Sequence, residues 1–170
     1  MGRTSSGASK NMTAEQYMRE VDGGPRPALK VRIPPNARFG HSVRQEVITF
    51  ANSCSVDRHD LDEFIFAVGE ALANAIEHSG SNDVIEIRCQ VENDRILATV
   101  IDSGAGFDVN PDPKTALPDD LNEHGRGLPI MRRCTDIFAV HSVPGKGTAV
   151  VLGRYLRRTA PQFEEKSKVS

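Results

Sequence analysis

The sequence predicts an α+β two-layer sandwich, in which helices lie on one face of a mixed, mostly antiparallel sheet. The chain has 170 residues, which fits one domain with tails and is enough to bury a substantial core. Predicted helices come mostly first along the chain, and predicted strands occur in hairpin-like pairs. This order favours packed layers over a regular alternation of strand and helix, and no internal repeat is visible.

Polar segments flank the predicted domain. Residues 1–27 are rich in Ser, Gly and charged residues, which predicts a flexible N-terminal arm with a short helix near residues 13–21. Residues 157–170 are also polar and predict a C-terminal tail that frays. The domain itself is therefore predicted to occupy residues 28–156.

The domain begins with a predicted strand and a predicted helix. Residues 28–33 alternate apolar and basic side chains, as in a half-buried strand, and the pair Pro34-Pro35 ends it. Asn36 can cap a helix that runs to about residue 53. One face of that helix carries apolar residues at spacings of four, four and three: Phe39, Val43, Val47 and Phe50.

A second helix is predicted from the cap residue Asp57 through Glu77, with its end near Gly80. Its apolar residues recur every three or four positions and share one stripe: Leu61, Ile65, Val68, Leu72 and Ala75 or Ile76. Three polar residues lie together on the opposite side: Glu70, Asn74 and Glu77. Small residues between them allow a ligand or another element to approach closely: Gly69, Ala71, Ala73 and Ala75.

The remaining elements are mostly strands. Residues 84–91 and 96–101 predict two strands joined by a turn. A loop rich in Pro, Asp and Gly follows, and then a short helix at residues 127–133. Residues 137–143 and 148–155 predict a final pair of strands, since the sequence Pro-Gly-Lys-Gly between them is a natural hairpin turn.

Composition narrows the classes of function. Lys and Arg number 21 and Asp and Glu 23, a balance that argues against direct nucleic-acid binding driven by bulk positive charge. The sequence contains no apolar run of about 20 residues, so no membrane span is predicted. Residues 1–11 lack the apolar segment of a secretory signal. Cys54, Cys89 and Cys134 form neither a CxxC pair nor a metal cluster, which predicts buried thiols in a reducing, cytoplasmic compartment.

Glu70 and Asn74 place a carboxylate and an amide one helical turn apart. An amide oxygen is a hard ligand for Mg²⁺ and adds no charge. A carboxylate one turn away can take a proton from a hydroxyl or water that attacks a γ-phosphoryl group. The alternative is a solvated polar face, although such a face usually also carries Lys and Arg.

A glycine motif follows the predicted strand at residues 96–101. Asp102 ends a buried strand, where its fixed carboxylate can accept a hydrogen bond from an exocyclic amine. Gly104 and Gly106 would let the main chain pass close to a flat ring. The same motif is also compatible with an ordinary turn.

A second glycine motif, Gly125-Arg126-Gly127, precedes the short helix. Glycines that open a helix expose its first N–H groups and make an anion site, and Arg126 can add a charge-assisted contact to phosphate. A plain junction between loop and helix is the alternative. The long polar stretch at residues 107–124 predicts a mobile lid.

The third glycine motif, at residues 145–148, lacks the earlier glycine of a P-loop. It predicts instead a hairpin whose Thr148 points toward a nucleotide.

Taken together, these motifs resemble the four ATP-site boxes of the GHKL superfamily, which includes DNA gyrase B, Hsp90, histidine kinases and MutL. The runs AVGEALANAIEH at residues 67–78 and HGRGLPIM at residues 124–131 are similar to the bacterial anti-sigma-factor serine/threonine kinases. The resemblance covers residues 28–155. Pro129 departs from the GxGLGL pattern of many members and removes one backbone donor near the phosphates.

The resemblance implies a site for ATP and Mg²⁺. It implies that Asn74 coordinates Mg²⁺, that Glu70 is the general base, and that Asp102 binds the adenine amine. The ATP-binding residues implied by the resemblance are Asn74, Asp102, Gly104, Gly106, Gly125, Arg126, Gly127, Leu128 and Thr148. Of these, the run from Gly125 belongs to the lid at the phosphates, and Thr148 supports the adenine end.

The resemblance also implies a function in transcription regulation and stress response. A serine/threonine kinase of this class phosphorylates an anti-anti-sigma (STAS-type) protein, sequesters a sigma factor and forms a homodimer. One alternative is a nucleotide-switched sequestering module with little or no phosphotransfer. Another is the catalytic half of a histidine kinase, since His59-Asp60 resembles an acceptor histidine followed by an acid, although it lies inside the ATP domain.

Overall fold

The computed structural model describes residues 28–80, 83–92, 94–108 and 127–157. The predicted arm, nearly all of the tail, most of the predicted lid, and Gly125 and Arg126 lie outside these residues, and their boundaries stay predictions. The elements are, in chain order, β1 Ala28–Ile33, a 3₁₀ helix Ala37–Phe39, α1 Gly40–Ser53, α2 Arg58–His78, β2 Ile85–Glu92, β3 Arg95–Asp102, α3 Gly127–Arg133, β4 Ile137–Val143 and β5 Gly147–Tyr155.

The five strands form one sheet in the order β1-β2-β3-β5-β4, and each neighbouring pair is antiparallel. All three described helices contribute to one core with the sheet, as Val43, Phe64 and Met131 share a cluster with Ile96 and Leu152. The predicted α+β two-layer sandwich is therefore confirmed.

Both predicted cap residues accept a backbone hydrogen bond. The Asp57 carboxylate accepts from the N–H of His59 at 2.8 Å and starts α2 as predicted. Asn36 accepts from the N–H of Arg38 at 3.1 Å, but it starts the 3₁₀ turn rather than the α-helix. The α-helix begins only at Gly40, so the predicted helix is split at its first turn.

The buried face of α2 differs from the predicted apolar stripe. Phe64, absent from that stripe, is fully buried, whereas Ile65 and Ile76 are only half-buried. Because α2 packs against the sheet and against both other helices, its buried arc is wider than one stripe and is centred differently.

The three cysteines are free, but only Cys89 is fully buried, and Cys54 and Cys134 are half-buried. The prediction of buried thiols is thus too strong for two of them. Burial raises the pKa of the Cys89 thiol, which is therefore inert near neutral pH.

No helix in the described part of the chain is both long and apolar enough to cross a membrane.

Glu86 on β2 lies at the centre of a group of cations. Its carboxylate is near Lys30 Nζ at 3.2 Å, Arg32 Nε at 3.1 Å and the guanidinium of Arg88, while its side chain is only 11% exposed. Burial acts to raise the pKa of this carboxyl, but the hydrogen bonds and charges of Arg88 and Lys30 outweigh burial and lower it below the ordinary 4.5. The ionised carboxylate therefore stabilises the folded state.

Glu86→Gln is expected to lower the free energy of unfolding at pH 7 by about 1 kcal/mol, a modest value because two of the three cations are exposed. The lowered pKa means that this stabilisation is present above pH 4.5 and is lost as pH falls through the folded-state pKa. Urea unfolding at several pH values should show a weaker acid dependence in Glu86→Gln. Glu46→Gln, at an exposed position of α1, is the control, and equal acid slopes in the two variants would contradict the account.

Candidate functional site

A cavity of about 340 Å³ lies between α2, the ends of β3 and β5, and the start of α3. This volume is within the range of small-molecule sites, which is about 300–1,000 Å³. Its lining combines apolar walls with a few polar groups: Ala71, Asn74, Ala75, His78, Val100, Asp102, Ala105, Gly106, Phe107, Leu128, Thr148 and Val150. Ala71 and Ala75 are among the small residues of α2 that predicted a close approach.

Asp102 ends β3 at the edge of this cavity and is 8% exposed. The N–H of Gly104 donates to its Oδ1 at 2.8 Å, and the backbone N–H of Thr148 donates to the same carboxylate. Burial raises the pKa of Asp102, while these two donors and nearby His78 act to lower it. A carboxylate has about four lone-pair sites, so acceptor capacity is left for a ligand amine.

Close backbone packing fixes the position of this carboxylate. Gly147 has φ +95°, and a Cβ there would lie 2.1 Å from the Asp102 carbonyl oxygen. A Cβ on Gly104 would lie 2.2 Å from the carbonyl oxygen of His78, so the end of β3 lies directly against the end of α2. Gly104 is not among the lining residues, whereas Gly106 is. The glycine at 104 is thus required by His78 within the fold.

A hydrogen-bond network joins the glycine loop to the β4–β5 hairpin. The N–H of Phe107 donates to Ser142 Oγ at 2.9 Å, and the hydroxyls of Ser142 and Thr148 lie 2.8 Å apart. The N–H of Gly145 also donates to the carbonyl of Ala105 at 2.7 Å. The predicted hairpin is therefore confirmed, and its Thr148 lines the cavity.

The sequence analysis did not identify two residues near the site, Ser142 and His78. Ser142 reaches the loop because β4 and β5 pair in a register that places it opposite Thr148. His78 reaches the cavity because the last turn of α2 lies against β3. No local pattern marks either residue, since both positions depend on how distant elements meet.

Asn74 lines the cavity where α3 begins. A Cβ on Gly127 would lie 2.6 Å from Asn74 Nδ2, so the first residue of α3 packs directly on this amide. Leu128 lines the same end of the cavity. Glu70, one turn before Asn74, is half-buried and is not among the lining residues. Gly125 and Arg126 lie outside the described residues.

Gly104→Ala is expected to lower the free energy of unfolding by at least about 2 kcal/mol, because the added methyl meets a backbone oxygen that cannot move aside cheaply. Gly40→Ala is the matched control. A Cβ there would be 3.8 Å from Arg44, an ordinary contact, and the residue is helical. Thermal unfolding of both variants checks this, and similar stabilities would contradict the packing described.

Comparison with known proteins agrees with this arrangement. Residues 33–154 match the family model of the histidine kinase-like ATPase domain. The serine-protein kinase RsbW of Bacillus cereus is 26% identical over 139 residues, covering 76% of this chain and 86% of that protein. The anti-sigma F factor of Caldanaerobacter subterraneus subsp. tengcongensis is 32% identical over 128 residues, covering 72% of this chain and 87% of that protein.

Among solved structures, the RsbU and RsbW domains of Rv1364c from Mycobacterium tuberculosis superpose with a TM-score of 0.59 at 20% identity. That match covers 79% of this chain and 34% of the other, and supports the fold. With the family model matching most of the chain, and a cavity formed at the predicted motifs, the chain belongs to the family of histidine kinase-like ATPase domains and resembles its serine-protein kinase and anti-sigma-factor members.

Proposed function

We propose that this protein is an ATP-dependent serine/threonine protein kinase and anti-sigma factor. It phosphorylates an anti-anti-sigma (STAS-type) protein and sequesters a sigma factor. The observation that carries the proposal is the meeting of Asp102, Thr148 and Asn74 at one cavity. The names of the relatives, serine-protein kinase and anti-sigma factor, supply the class of reaction and of partner.

Asp102 and the walls around it suit an adenine ring. The carboxylate accepts a hydrogen bond from the exocyclic amine, and the Thr148 hydroxyl supports the same end. Val100 and Val150 line the cavity on the side of the sheet, and Ala71 and Ala75 line it on the side of α2, so apolar side chains offer contact to the ring. A guanine base presents a carbonyl oxygen where adenine has its amine, so the acidic acceptor favours ATP over GTP.

Asn74 suits the phosphate end. Within the described residues, no group of three or more His, Cys, Asp or Glu side chains could hold a metal ion. Mg²⁺ commonly takes few protein ligands and completes its shell with phosphate and water oxygens, so the Asn74 amide oxygen fits it. In the proposal Gly125, Arg126, Gly127 and Leu128 contact the phosphates at the start of α3.

Glu70 is the proposed general base. It lies one helical turn from Asn74, is half-buried, and is not among the residues that line the cavity. The carboxylate would accept the proton of the partner's serine or threonine hydroxyl as its oxygen attacks the γ-phosphoryl group, and ADP would leave.

Asn74→Ala is expected to bind ATP several-fold more weakly and to lose the dependence of affinity on Mg²⁺. Calorimetric titration of the wild type and the variant, each with and without Mg²⁺, tests the proposed site. Asn52→Ala, at an exposed position of α1, is the control and should behave as the wild type. Equal Mg²⁺ dependence in wild type and Asn74→Ala would exclude Asn74 as the ligand, and no ATP binding by the wild type would exclude the proposal.

A second candidate function is a nucleotide-switched module that sequesters its partner with little or no transfer. Pro129 favours it, because proline in the first turn of α3 removes a backbone N–H near the proposed phosphates. The histidine kinase alternative has less support. Asp60, which would follow the acceptor His59, is buried and accepts the N–H of Arg157 at 2.9 Å.

The proposed function also sets the expected surroundings of the protein. It would act in the cytoplasm, as a homodimer, through protein partners and without direct contact to nucleic acid.

A further inference from the structure

Ser142 on β4 has a hydroxyl oxygen that contacts three other residues. It accepts the backbone N–H of Phe107 at 2.9 Å, and it lies 2.8 Å from the Thr148 hydroxyl and 3.3 Å from the carbonyl oxygen of Gly147. Phe107 and Thr148 both line the cavity, whereas Ser142 is not among the lining residues. Ser142 therefore contacts two residues of the cavity wall without being part of that wall.

The hydroxyl of Ser142 has only one proton to donate. An O–H···O hydrogen bond is normally about 2.5–3.0 Å long. Thr148 Oγ1 at 2.8 Å is therefore a better acceptor for this proton than the carbonyl oxygen of Gly147 at 3.3 Å. With Ser142 as the donor, the Thr148 oxygen accepts, and the proton of Thr148 itself is left for a group in the cavity.

Thr148 lies directly opposite Asp102 in the pairing of β5 with β3. The Asp102 carboxylate accepts hydrogen bonds, and a Thr148 hydroxyl turned in this way donates one. The adenine ring offers an amine donor beside a ring-nitrogen acceptor, which matches this pair, whereas guanine has a carbonyl oxygen in place of the amine. The direction of the Thr148 proton therefore affects which base the cavity prefers.

The loop after β3 also contacts the β4–β5 hairpin without the help of Ser142. The N–H of Gly145 donates to the carbonyl of Ala105 at 2.7 Å. Gly106, with φ +60°, packs so closely on the hairpin that a Cβ there would lie 2.2 Å from the carbonyl oxygen of Val143. Removal of the Ser142 hydroxyl should therefore leave the loop in place and mainly free the hydroxyl that it contacts.

We propose that Ser142 is a positioning residue for nucleotide recognition. Its hydroxyl holds the Thr148 hydroxyl with the proton directed into the cavity, and the same oxygen fixes the N–H of Phe107 at the cavity wall. This role rests on the proposed ATP site and adds to it a residue that helps to select adenine without touching the base.

Fluorescence titration of the full-length protein with ATP and with GTP, in the absence of any partner, tests this role. Ser142→Ala is expected to bind ATP about fivefold more weakly, the effect of one lost hydrogen bond, and to lose part of the preference for ATP over GTP. Ser142→Thr keeps the hydroxyl, and a strand position accepts a β-branched side chain, so this variant should retain the wild-type preference.

The matched control is Ser42→Ala. Ser42 is an exposed serine of α1 whose hydroxyl donates to the carbonyl of Phe39 at 2.8 Å, so the variant also loses one serine hydrogen bond. It should bind both nucleotides as the wild type does. An unchanged preference for ATP over GTP in Ser142→Ala would overturn the proposal.

A double-mutant cycle separates positioning through Thr148 from a general loss of packing. Thr148→Val has nearly the same shape as the wild type and removes the hydroxyl through which Ser142 acts. In this background Ser142→Ala should have almost no further effect on ATP affinity. Equal effects of Ser142→Ala in the wild-type and Thr148→Val backgrounds would contradict the proposal.

Amide hydrogen exchange on the nucleotide-free protein tests the contact itself. The N–H of Phe107 should exchange faster in Ser142→Ala and at the wild-type rate in Ser142→Thr. Unchanged exchange in Ser142→Ala would overturn the contact. A wild type that binds neither nucleotide would overturn the proposed function and this role with it, whereas a wild type that prefers ATP and an equally selective Ser142→Ala would overturn only the role of Ser142.

Discussion

Asp102→Asn is expected to weaken ATP binding by about 100-fold, because a charge-assisted hydrogen bond in a buried site contributes about 1.5–3 kcal/mol. The carboxylate already accepts the N–H groups of Gly104 and Thr148. An asparagine has one acceptor oxygen for these donors and places an NH₂ group against the adenine amine, which leaves polar groups unpaired. The preference for ATP over GTP should also fall.

Fluorescence titration with ATP and GTP measures both effects. Asp62→Asn, at an exposed position of α2, is the control and should keep the wild-type affinity. Burial raises the pKa of Asp102, so ionising it is costly in the folded state, and its neutral replacement should not strongly lower stability. Thermal unfolding checks that the variant is folded, and a folded Asp102→Asn with unchanged affinity would remove Asp102 from the site.

Glu70→Gln is expected to slow phosphoryl transfer by about 10²–10⁴-fold, the usual contribution of a general base. ATP affinity should change little, because Glu70 is not among the residues that line the cavity. Single-turnover transfer of labelled phosphate to a STAS-type partner separates this effect from binding. Glu77→Gln, two turns along the same helix and exposed, should transfer at the wild-type rate. Equal rates in the two variants would exclude Glu70 as the base.

The sequence predicted the boundaries of helices and strands well wherever a local signal marks their start or end. Pro34-Pro35 ends β1, Asp57 starts α2, and the glycines of the β4–β5 turn adopt φ of +75° and +95° that favour glycine. Prediction from the sequence was less accurate for the buried face of α2. The helical spacing of apolar residues identifies one apolar stripe. Phe64 lies outside that stripe but is buried, because the sheet and the other helices contact α2 over a broad arc. The width of this arc depends on the neighbouring elements and cannot be read from the spacing.

The candidate site shows the same division. Asp102, Asn74 and Thr148 were predicted from motifs, and the structure brings them to one cavity. His78 lines the cavity because the end of α2 meets the end of β3, and Ser142 contacts Thr148 because of the register of β4 and β5. From the sequence, Gly104 was expected to let the main chain pass close to a flat ring. In the structure, a side chain at this position would collide with the carbonyl oxygen of His78, which lies far from Gly104 along the chain.

The most direct test of the proposed kinase is transfer itself. The full-length protein, Mg²⁺ and ATP labelled in the γ-phosphoryl group would be incubated with purified STAS-type proteins from the same genome, and the modified residue mapped by mass spectrometry. The account predicts an acid-stable phosphoserine or phosphothreonine on one partner, formed by the wild type and almost absent with Glu70→Gln. No transfer despite nucleotide-dependent binding of a partner would contradict it and leave a sequestering module. An acid-labile phosphoryl group on this chain, lost in His59→Ala, would contradict it in favour of a histidine kinase.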